Sequence, residues 1–174
     1  MSHFIARRQP RRNVYRLGVG IVLFNALGKV LVGQRLDMQS DAWQMPQGGI
    51  DADETPLEAV WREMEEEIGT RNAELLGESR GWFTYNLPPG LKKILWSGKY
   101  LGQRQKWFAF RFLGTDQDIN IQTPHPEFRN WKWVEFQEVP NLIVPFKKDL
   151  YEQIVKEFEP LKQDLLKGAT PSPV

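Results

Sequence analysis

The residues between Thr55 and Gly69 constrain the fold of this chain more than any other segment. A threonine at the N-cap and Glu58 three residues later can bond to each other's backbone, and Pro56 suits the first helical position. Gly69 suits the end of the helix, because glycine adopts the left-handed conformation there without strain. The pattern predicts a helix over 56–68. Apolar residues at steps of three and four predict one core-facing stripe on it, namely Leu57, Val60, Trp61, Met64 and Ile68.

The same helix carries glutamates where stability alone would not place them. Glu63, Glu66 and Glu67 share one face and repel each other. They also lie in the second half of the helix, where its dipole disfavours negative charge. A divalent cation would remove this penalty, since Mg²⁺ prefers carboxylate oxygen. The helix alone leaves two interpretations open, a metal-binding face and a solvated face rich in glutamate. Arg62 has the spacing to pair with Glu66.

Strands and helices alternate along the rest of the chain. Together they predict a layered α/β (α+β) domain over 14–166, preceded by a basic, flexible arm at 1–13 and followed by a disordered tail at 167–174. The predicted strands are 17–24, 29–35, 75–84, 105–113 and 131–135, the predicted loops are 37–54 and 86–103, and a second helix is predicted over 147–166.

Composition excludes several classes of protein. The 174 residues carry a net charge of +1 and no cysteine, so a disulfide scaffold and a thiolate metal site are excluded, as expected for a cytoplasmic enzyme. The run Leu17–Phe24 follows several arginines, but it is short and lacks a clear cleavage site, which favours a strand over a signal peptide. No apolar run is long enough to span a membrane. The basic residues Arg7–Arg12 suit either phosphate binding or a solvated tail.

A glycine loop precedes the first helix at a fixed distance. Five residues separate Gly48 from Glu54, and seven more lead to the segment 62–69. This string resembles the Nudix box, G-x5-E-x7-R-E-U-x-E-E-x-G-U, in which U is bulky and apolar; Thr70 departs from the last U. Residues 14–160 also resemble the subgroup of bacterial RNA pyrophosphohydrolases and plant-type diadenosine tetraphosphate hydrolases. The segments that carry this resemblance are Tyr15-Arg16, 43–49, 82–89, 105–108, 126–128, 131–133 and Phe146-Lys147.

The resemblance implies the Nudix fold, a mixed β-sheet sandwiched between α-helices, and hydrolysis assisted by two or more Mg²⁺ or Mn²⁺ ions. It implies that metal is bound by Glu63, Glu66, Glu67, Glu127 and the carbonyl of Gly48. Either Glu63 or Glu127 would act as the general base. Glu54 and Arg62 would orient the box through a buried salt bridge.

Contacts to the substrate are also expected from the resemblance. Arg16, Arg35 and Lys106 would clamp phosphates, with surface charge as the alternative. Tyr85 would contact phosphate or nucleotide and Phe146 would stack on a base, with core packing as the alternative for both, and Lys147 would pair with the phosphate of that base. The leading substrate is 5′-triphosphorylated RNA, and a dinucleoside polyphosphate is the alternative. A non-catalytic nucleotide- or RNA-binding module is disfavoured, because every box glutamate is present. No membrane and no stable protein partner are implied.

Overall fold

A computed structural model describes residues 14–168 of the protein. The predicted arm at 1–13 and residues 169–174 of the predicted tail lie outside the described residues. Within this range the strands are β1 (Tyr15–Phe24), β2 (Lys29–Arg35), β3 (Gln47–Gly49), β4 (Ala73–Glu78), β5 (Phe83–Asn86), β6 (Gly102–Phe112) and β7 (Phe128–Glu135). The α-helices are α1 (Pro56–Ile68), α2 (Pro89–Lys92), α3 (Val139–Leu142) and α4 (Lys148–Leu166), and short 3₁₀ turns lie at Leu95–Gly98, Asp116–Asp118, Phe136–Glu138 and Pro145–Lys147.

The strands form one mixed sheet in the order β4-β6-β1-β2-β7. β1 and β6 run parallel, whereas the other pairs are antiparallel. β3 adds to β1 near its start, and β5 adds to the first half of β6. Because β2 pairs with β1 only near Phe24, the start of β1 is left free to pair with β3.

Each face of the sheet buries its own apolar cluster. Alternate residues of β1, such as Val19 and Ile21, pack under α1, and the residues between them, such as Val22, pack under α4. Burial on both faces explains why β1 is an almost continuous apolar run. The predicted sandwich of a mixed sheet between helices is therefore confirmed, as is the strand over 17–24.

Helix α1 begins and ends where the sequence predicts. The Thr55 hydroxyl accepts from the Glu58 backbone and the Glu58 carboxylate from the Thr55 backbone, and Gly69 is left-handed with φ 73°. One member of the predicted core stripe is misplaced, since Leu57 is 42% exposed. It lies in the first turn and does not belong to the apolar cluster under α1.

The strand predicted over 75–84 is two strands. Both β4 and β5 pair with β6, one after the other, and residues 79–82 between them leave the ladder. Ser79 explains the break, because its backbone donates to the Trp107 carbonyl but its hydroxyl accepts from the Trp107 backbone. The same hydroxyl donates to the carbonyl of Gly81. Other predictions need smaller corrections: the loop 37–54 contains β3, the loop 86–103 contains α2 and one 3₁₀ turn, and β7 begins three residues earlier than predicted.

None of the helices in residues 14–168 combines the length and the apolar character needed to cross a membrane.

The close approach of Gly20 to the buried Trp107 makes one prediction about stability. A Cβ at position 20 would overlap the indole ring, so Gly20→Ala forces either the ring or β1 to move. We expect a loss of about 1–3 kcal/mol in the free energy of unfolding, measured with urea.

Gly81→Ala is the matched control, because no heavy atom lies within 4 Å of a Cβ there. Its unfolding free energy should stay within about 0.5 kcal/mol of the wild-type value. Equal stability of the two variants would contradict the packing described for Trp107.

Candidate active site

Arg62 ties the loop before α1 to the glutamates on it. Its Nε and Nη2 donate to both oxygens of Glu54, at 2.6 and 2.7 Å. Its Nη1 donates to Glu63 at 2.9 Å and to Glu66 at 3.1 Å, and Nη2 also reaches the Gly49 carbonyl at 2.9 Å. The hydrogen bonds from Arg62 lower the pKa of Glu54. The contacts predicted from Arg62 to Glu54 and to Glu66 are thus both present.

Two adjacent glycines let charged groups approach the backbone of β3. A Cβ on Gly48 would overlap the carboxylate of Glu63, and one on Gly49 would overlap the guanidinium of Arg16. Any side chain at either position would displace one of these groups. The glycine pair therefore sets how closely the carboxylate and the guanidinium can approach β3.

Two of the three clustered glutamates are buried. Glu63 is 9% exposed and Glu67 is 3% exposed, and the Gln47 backbone donates to Glu67 at 3.1 Å. Burial raises the pKa of Glu63 to about 7, with Arg62 opposing the shift and the charges of Glu66 and Glu127 adding to it. Burial also raises the pKa of Glu67, and the charges of Glu63 and Glu127 raise it further. The cluster thus holds more negative charge than its protein surroundings neutralise.

Glu127 and Arg35 meet this cluster from the other side. A register shift at the end of β2 sets Arg35 opposite Phe128, next to Glu127, and the Glu127 carbonyl accepts from the Leu36 backbone at 2.9 Å. Burial raises the pKa of Glu127, and Arg35 opposes that shift. Arg35 itself forms a bidentate pair with Asp37, at 2.8 and 2.6 Å.

A cavity of about 290 Å³ opens beside Arg35. One wall is formed by Tyr85, Phe146 and Lys147, and Arg35 and Gln47 form the edge next to the glutamates. The segment after β5 closes another side. The residues of this segment that line the cavity are apolar and comprise Leu87, Leu91, Ile94, Leu95 and Trp96. The cavity is therefore mostly apolar and has cationic groups where it meets the carboxylates.

Lys147 is a buried cation in the wall of this cavity. Its side chain is 7% exposed, and Nζ lies 4.8 Å from the centre of the Tyr85 ring. Burial, together with a smaller effect from the charge of Arg35, lowers the pKa of Lys147 to about 7. None of the salt bridges found among residues 14–168 includes Lys147. Tyr85 donates to Gln103 at 2.8 Å, and its ring centre lies 6.0 Å from that of Phe146.

Arg16 lies between the glycine pair and the cavity, with its guanidinium carbon 5.1 Å from the centre of the Trp96 ring. Lys106 is not among the residues that line the cavity, whereas Arg35 is. It alternates with Gln105 and Trp107 on β6 and so projects from the face covered by α1. Its partner on β1 is Val19, and Gly48 lies beyond that strand, about 10 Å away in backbone spacing.

Several residues of the site were not predicted from the sequence. Gln47 shares a hydrogen bond with Gln105, which also bonds to Gln103, so a row of amides connects β3 with β6. Trp96 was also missed, although it lines the cavity and holds Arg16. The spacing of Leu91, Ile94 and Leu95 could have indicated a helical turn with one apolar face at this place.

Comparison with known proteins decides the family. A family model described as NUDIX domain matches residues 14–154. The chain belongs to the Nudix family. Its similarity to individual Nudix proteins extends over most of their length. It is 63% identical to the RNA pyrophosphohydrolase of Rhodospirillum rubrum over 82% of this chain and 86% of that protein. It is 50% identical to the RNA pyrophosphohydrolase of Rickettsia bellii over 86% of this chain and 92% of that protein.

Solved structures support the fold of this Nudix chain. The E. coli dihydroneopterin triphosphate pyrophosphohydrolase aligns with a TM-score of 0.60 at 20% identity, covering 83% of this chain and 99% of that one. A C. elegans Ap4A hydrolase binary complex aligns with a TM-score of 0.56 at 18% identity, covering 82% and 98%. At these identities the likeness concerns the fold alone.

Nudix hydrolases generally use divalent metal ions, and the donor set of this site fits such ions. Buried carboxylates with raised pKa values are hard oxygen donors whose charges a cation would neutralise. The glycine cradle also brings the Glu63 carboxylate against the backbone of Gly48. Residues 14–168 hold no set of three or more carboxylates or histidines already converged on one point. Arg62 accounts for part of this, since it engages oxygens of both Glu63 and Glu66.

The raised pKa of Glu63 predicts how stability depends on pH without divalent ions. The folded chain retains a proton on Glu63 up to about pH 7, whereas the unfolded chain releases it near 4.5. The contribution of Glu63 to stability therefore falls as pH rises through this window. In Glu63→Gln we expect the free energy of unfolding to lose a pH dependence on the order of 3 kcal/mol. The measurement is unfolding by urea in the presence of a metal chelator.

Glu65→Gln provides the control, because Glu65 is an exposed glutamate of the same helix. It should keep the wild-type pH dependence. Mg²⁺ should stabilise the wild type more at about pH 8 than at about pH 5, since the ion competes with the proton. Stabilisation by Mg²⁺ that is equal at both pH values would argue against these carboxylates as ligands.

Proposed function

We propose that this Nudix chain removes pyrophosphate from the 5′ end of triphosphorylated RNA and leaves a 5′-monophosphate. The observation that carries the proposal is the cavity, which joins the carboxylate cluster through Arg35 and offers a base-sized apolar space. The names of the two relatives at 63% and 50% identity support RNA as the substrate.

The carboxylates divide into a binding group and an orienting group. We assign Glu63, Glu66, Glu67, Glu127 and the Gly48 carbonyl to two or more Mg²⁺ or Mn²⁺ ions. When bound, such ions neutralise the phosphates and acidify a water molecule. Glu54 and Arg62 hold the loop and α1 in register, which fixes the distance from Gly48 to Glu63.

Cations on the cavity side suit the phosphates. Arg35 presents its fork where the cavity meets the glutamates, and Arg16 lies beside Gly49. Both bind phosphate oxygens in this proposal, as arginine forks do. Lys147 is buried, and none of the described salt bridges pairs it with a carboxylate. An anionic ligand would therefore supply the negative countercharge for its ammonium group. Phe146 stacks on a base in this proposal, and Tyr85 packs against Phe146 at 6.0 Å between ring centres.

Two glutamates compete for the role of general base. Glu63 is buried and bonded to Arg62, which restrains its carboxylate. Glu127 is more exposed and lies beside Arg35, at the end of a strand. The pKa of both carboxylates is raised, to about 7 for Glu63, and a raised pKa makes a carboxylate a stronger base.

Asymmetric hydrolysis of dinucleoside polyphosphates is the second candidate. The ring of Phe146, which lines the cavity, would stack on an adenine as readily as on an RNA base. The two substrates differ only beyond the first nucleotide and its phosphates, so direct competition separates them.

The first measurement compares kcat/KM for short 5′-triphosphorylated RNA and for diadenosine tetraphosphate in the presence of Mg²⁺. We expect pyrophosphate release from RNA to be at least about 10-fold more efficient. Faster release of ATP from the dinucleotide would reverse the order of the two candidates. Turnover of neither substrate would overturn both.

Removal of single carboxylates tests catalysis itself. Glu63→Gln should lower kcat by about 100-fold or more while the variant still binds RNA, because the amide keeps the shape but loses the charge. Glu127→Gln should abolish the acidic limb of the pH–rate profile if Glu127 is the base, and leave that limb in place if Glu63 is the base. Unchanged turnover in Glu63→Gln would favour a non-catalytic module.

Lys147 gives a pH-dependent test of substrate binding. The pKa of about 7 means that Lys147 loses its charge as pH rises through neutrality, so RNA binding should weaken over that range. In Lys147→Met the KM should be raised and should depend less on pH, measured against the wild type. Lys148→Met, an exposed neighbour, should behave like the wild type.

A further inference from the structure

A long stretch of the chain carries basic residues and no acidic ones. Between Glu78 and Asp116 there is no aspartate or glutamate, and the seven basic residues are Arg80, Lys92, Lys93, Lys99, Arg104, Lys106 and Arg111. The chain as a whole is close to neutral, with a net charge of +1. This positive charge is therefore a local feature, and local positive charge attracts polyanions.

Three of these lysines lie on the segment that closes the cavity. Leu91, Ile94 and Leu95 line the cavity and are spaced three and four residues apart, as on one face of a helical turn. Lys92 and Lys93 fall on the other side of that turn, and both are exposed. The same short segment thus has an apolar inner side and a basic outer side.

The backbone after this turn brings Gly98 back beside Lys92 and Lys93, whose carbonyl oxygens would lie 3.7 and 3.8 Å from a Cβ at that position. Trp96, Ser97 and Gly98 are successive left-handed residues, with φ of 51°, 57° and 69°. Left-handed backbone is unfavourable for tryptophan and serine, so the tertiary contacts of Trp96 must hold it there. Those contacts are Arg16 at 5.1 Å and Tyr100 at 6.1 Å between ring centres. The reversal leads to Lys99, which is also exposed.

An exposed apolar side chain lies among the three lysines. Ile94 borders the cavity and is nevertheless 74% exposed, so much of its surface faces the mouth. Of the described residues that line the cavity, Asp37 alone is acidic, and it is paired with Arg35. A strand of RNA leaving the cavity across this rim would meet lysines and an apolar contact and no unpaired carboxylate of the lining.

We propose that Lys92, Lys93 and Lys99, together with Ile94, form an exit track that binds the RNA backbone downstream of the 5′ nucleotides. The inference rests on RNA as the substrate of the proposed function. It adds a second binding region that a dinucleoside polyphosphate is too short to use. The track binds phosphates, so it contributes affinity for length and not for sequence.

The experiment compares a triple variant, Lys92→Gln, Lys93→Gln and Lys99→Gln, with a control triple, Lys148→Gln, Lys156→Gln and Lys167→Gln. Both remove three exposed lysines and change the net charge equally. The probes are 5′-triphosphorylated RNAs of two nucleotides and of about ten nucleotides, together with diadenosine tetraphosphate. Thermal unfolding of each variant shows that the fold is kept.

The track variant should lose about 10-fold or more in kcat/KM on the longer RNA and change less than about 2-fold on the two shorter substrates. Its plot of log kcat/KM against log salt concentration should be shallower by about 2, since each lost phosphate contact removes about 0.7. The control triple should keep the wild-type preference for length.

Equal kcat/KM of the two triple variants on the longer RNA would overturn the track. An equal loss on both RNA lengths would also overturn it, because the lysines would then act at the 5′ end. If the wild type cleaves RNA and the two triple variants have the same kcat/KM on the longer RNA, the exit track is refuted but the proposed function stands. If the wild type cleaves only the dinucleotide, the proposed function falls and the track with it.

Discussion

The guanidinium of Arg62 holds the candidate site together, because it bonds at once to three carboxylates and to the Gly49 carbonyl. A cluster of glutamates on one helix face repels itself, and a single point charge could not reach all of them. The planar fork of arginine reaches them from one position and fixes the loop at the same time. The position of the Glu63 carboxylate against Gly48 depends on this arrangement, because Arg62 holds both Glu63 and the adjacent Gly49 carbonyl.

The two faces of the sheet support different parts of the candidate site. Under α1 the apolar cluster buries the base of the carboxylate helix, and under α4 the opposite cluster continues into the wall of the cavity. β3 connects the carboxylates with the cavity, because the backbone of Gln47 donates to Glu67 while Gln47 also lines the cavity. The amides of Gln105 and Gln103 extend this connection to Tyr85. The site therefore lies where both clusters end.

The predictable parts of this structure were those with local signals. Helix α1 was placed correctly because its caps and its apolar period lie within fifteen residues. The burial of Glu63 and Glu67 was not predictable, since it depends on β3, which a three-residue strand signals too weakly. The break at Ser79 depends on Trp107, far away in sequence. For Lys106, alternation determines which residues share a face but not which face meets the cavity, so its contact with phosphate stays a prediction.

The bidentate pair of Arg35 and Asp37 has a consequence for turnover. If Arg35 binds a phosphate as proposed, Asp37 occupies the same fork and competes with the ligand. An arriving phosphate gains less than it would from a free guanidinium, because one anion replaces another. A departing phosphate in turn leaves Arg35 with a carboxylate beside it. On this proposal the pair lowers the affinity of Arg35 for phosphate and makes phosphate easier to release. It also keeps the guanidinium oriented between one substrate and the next.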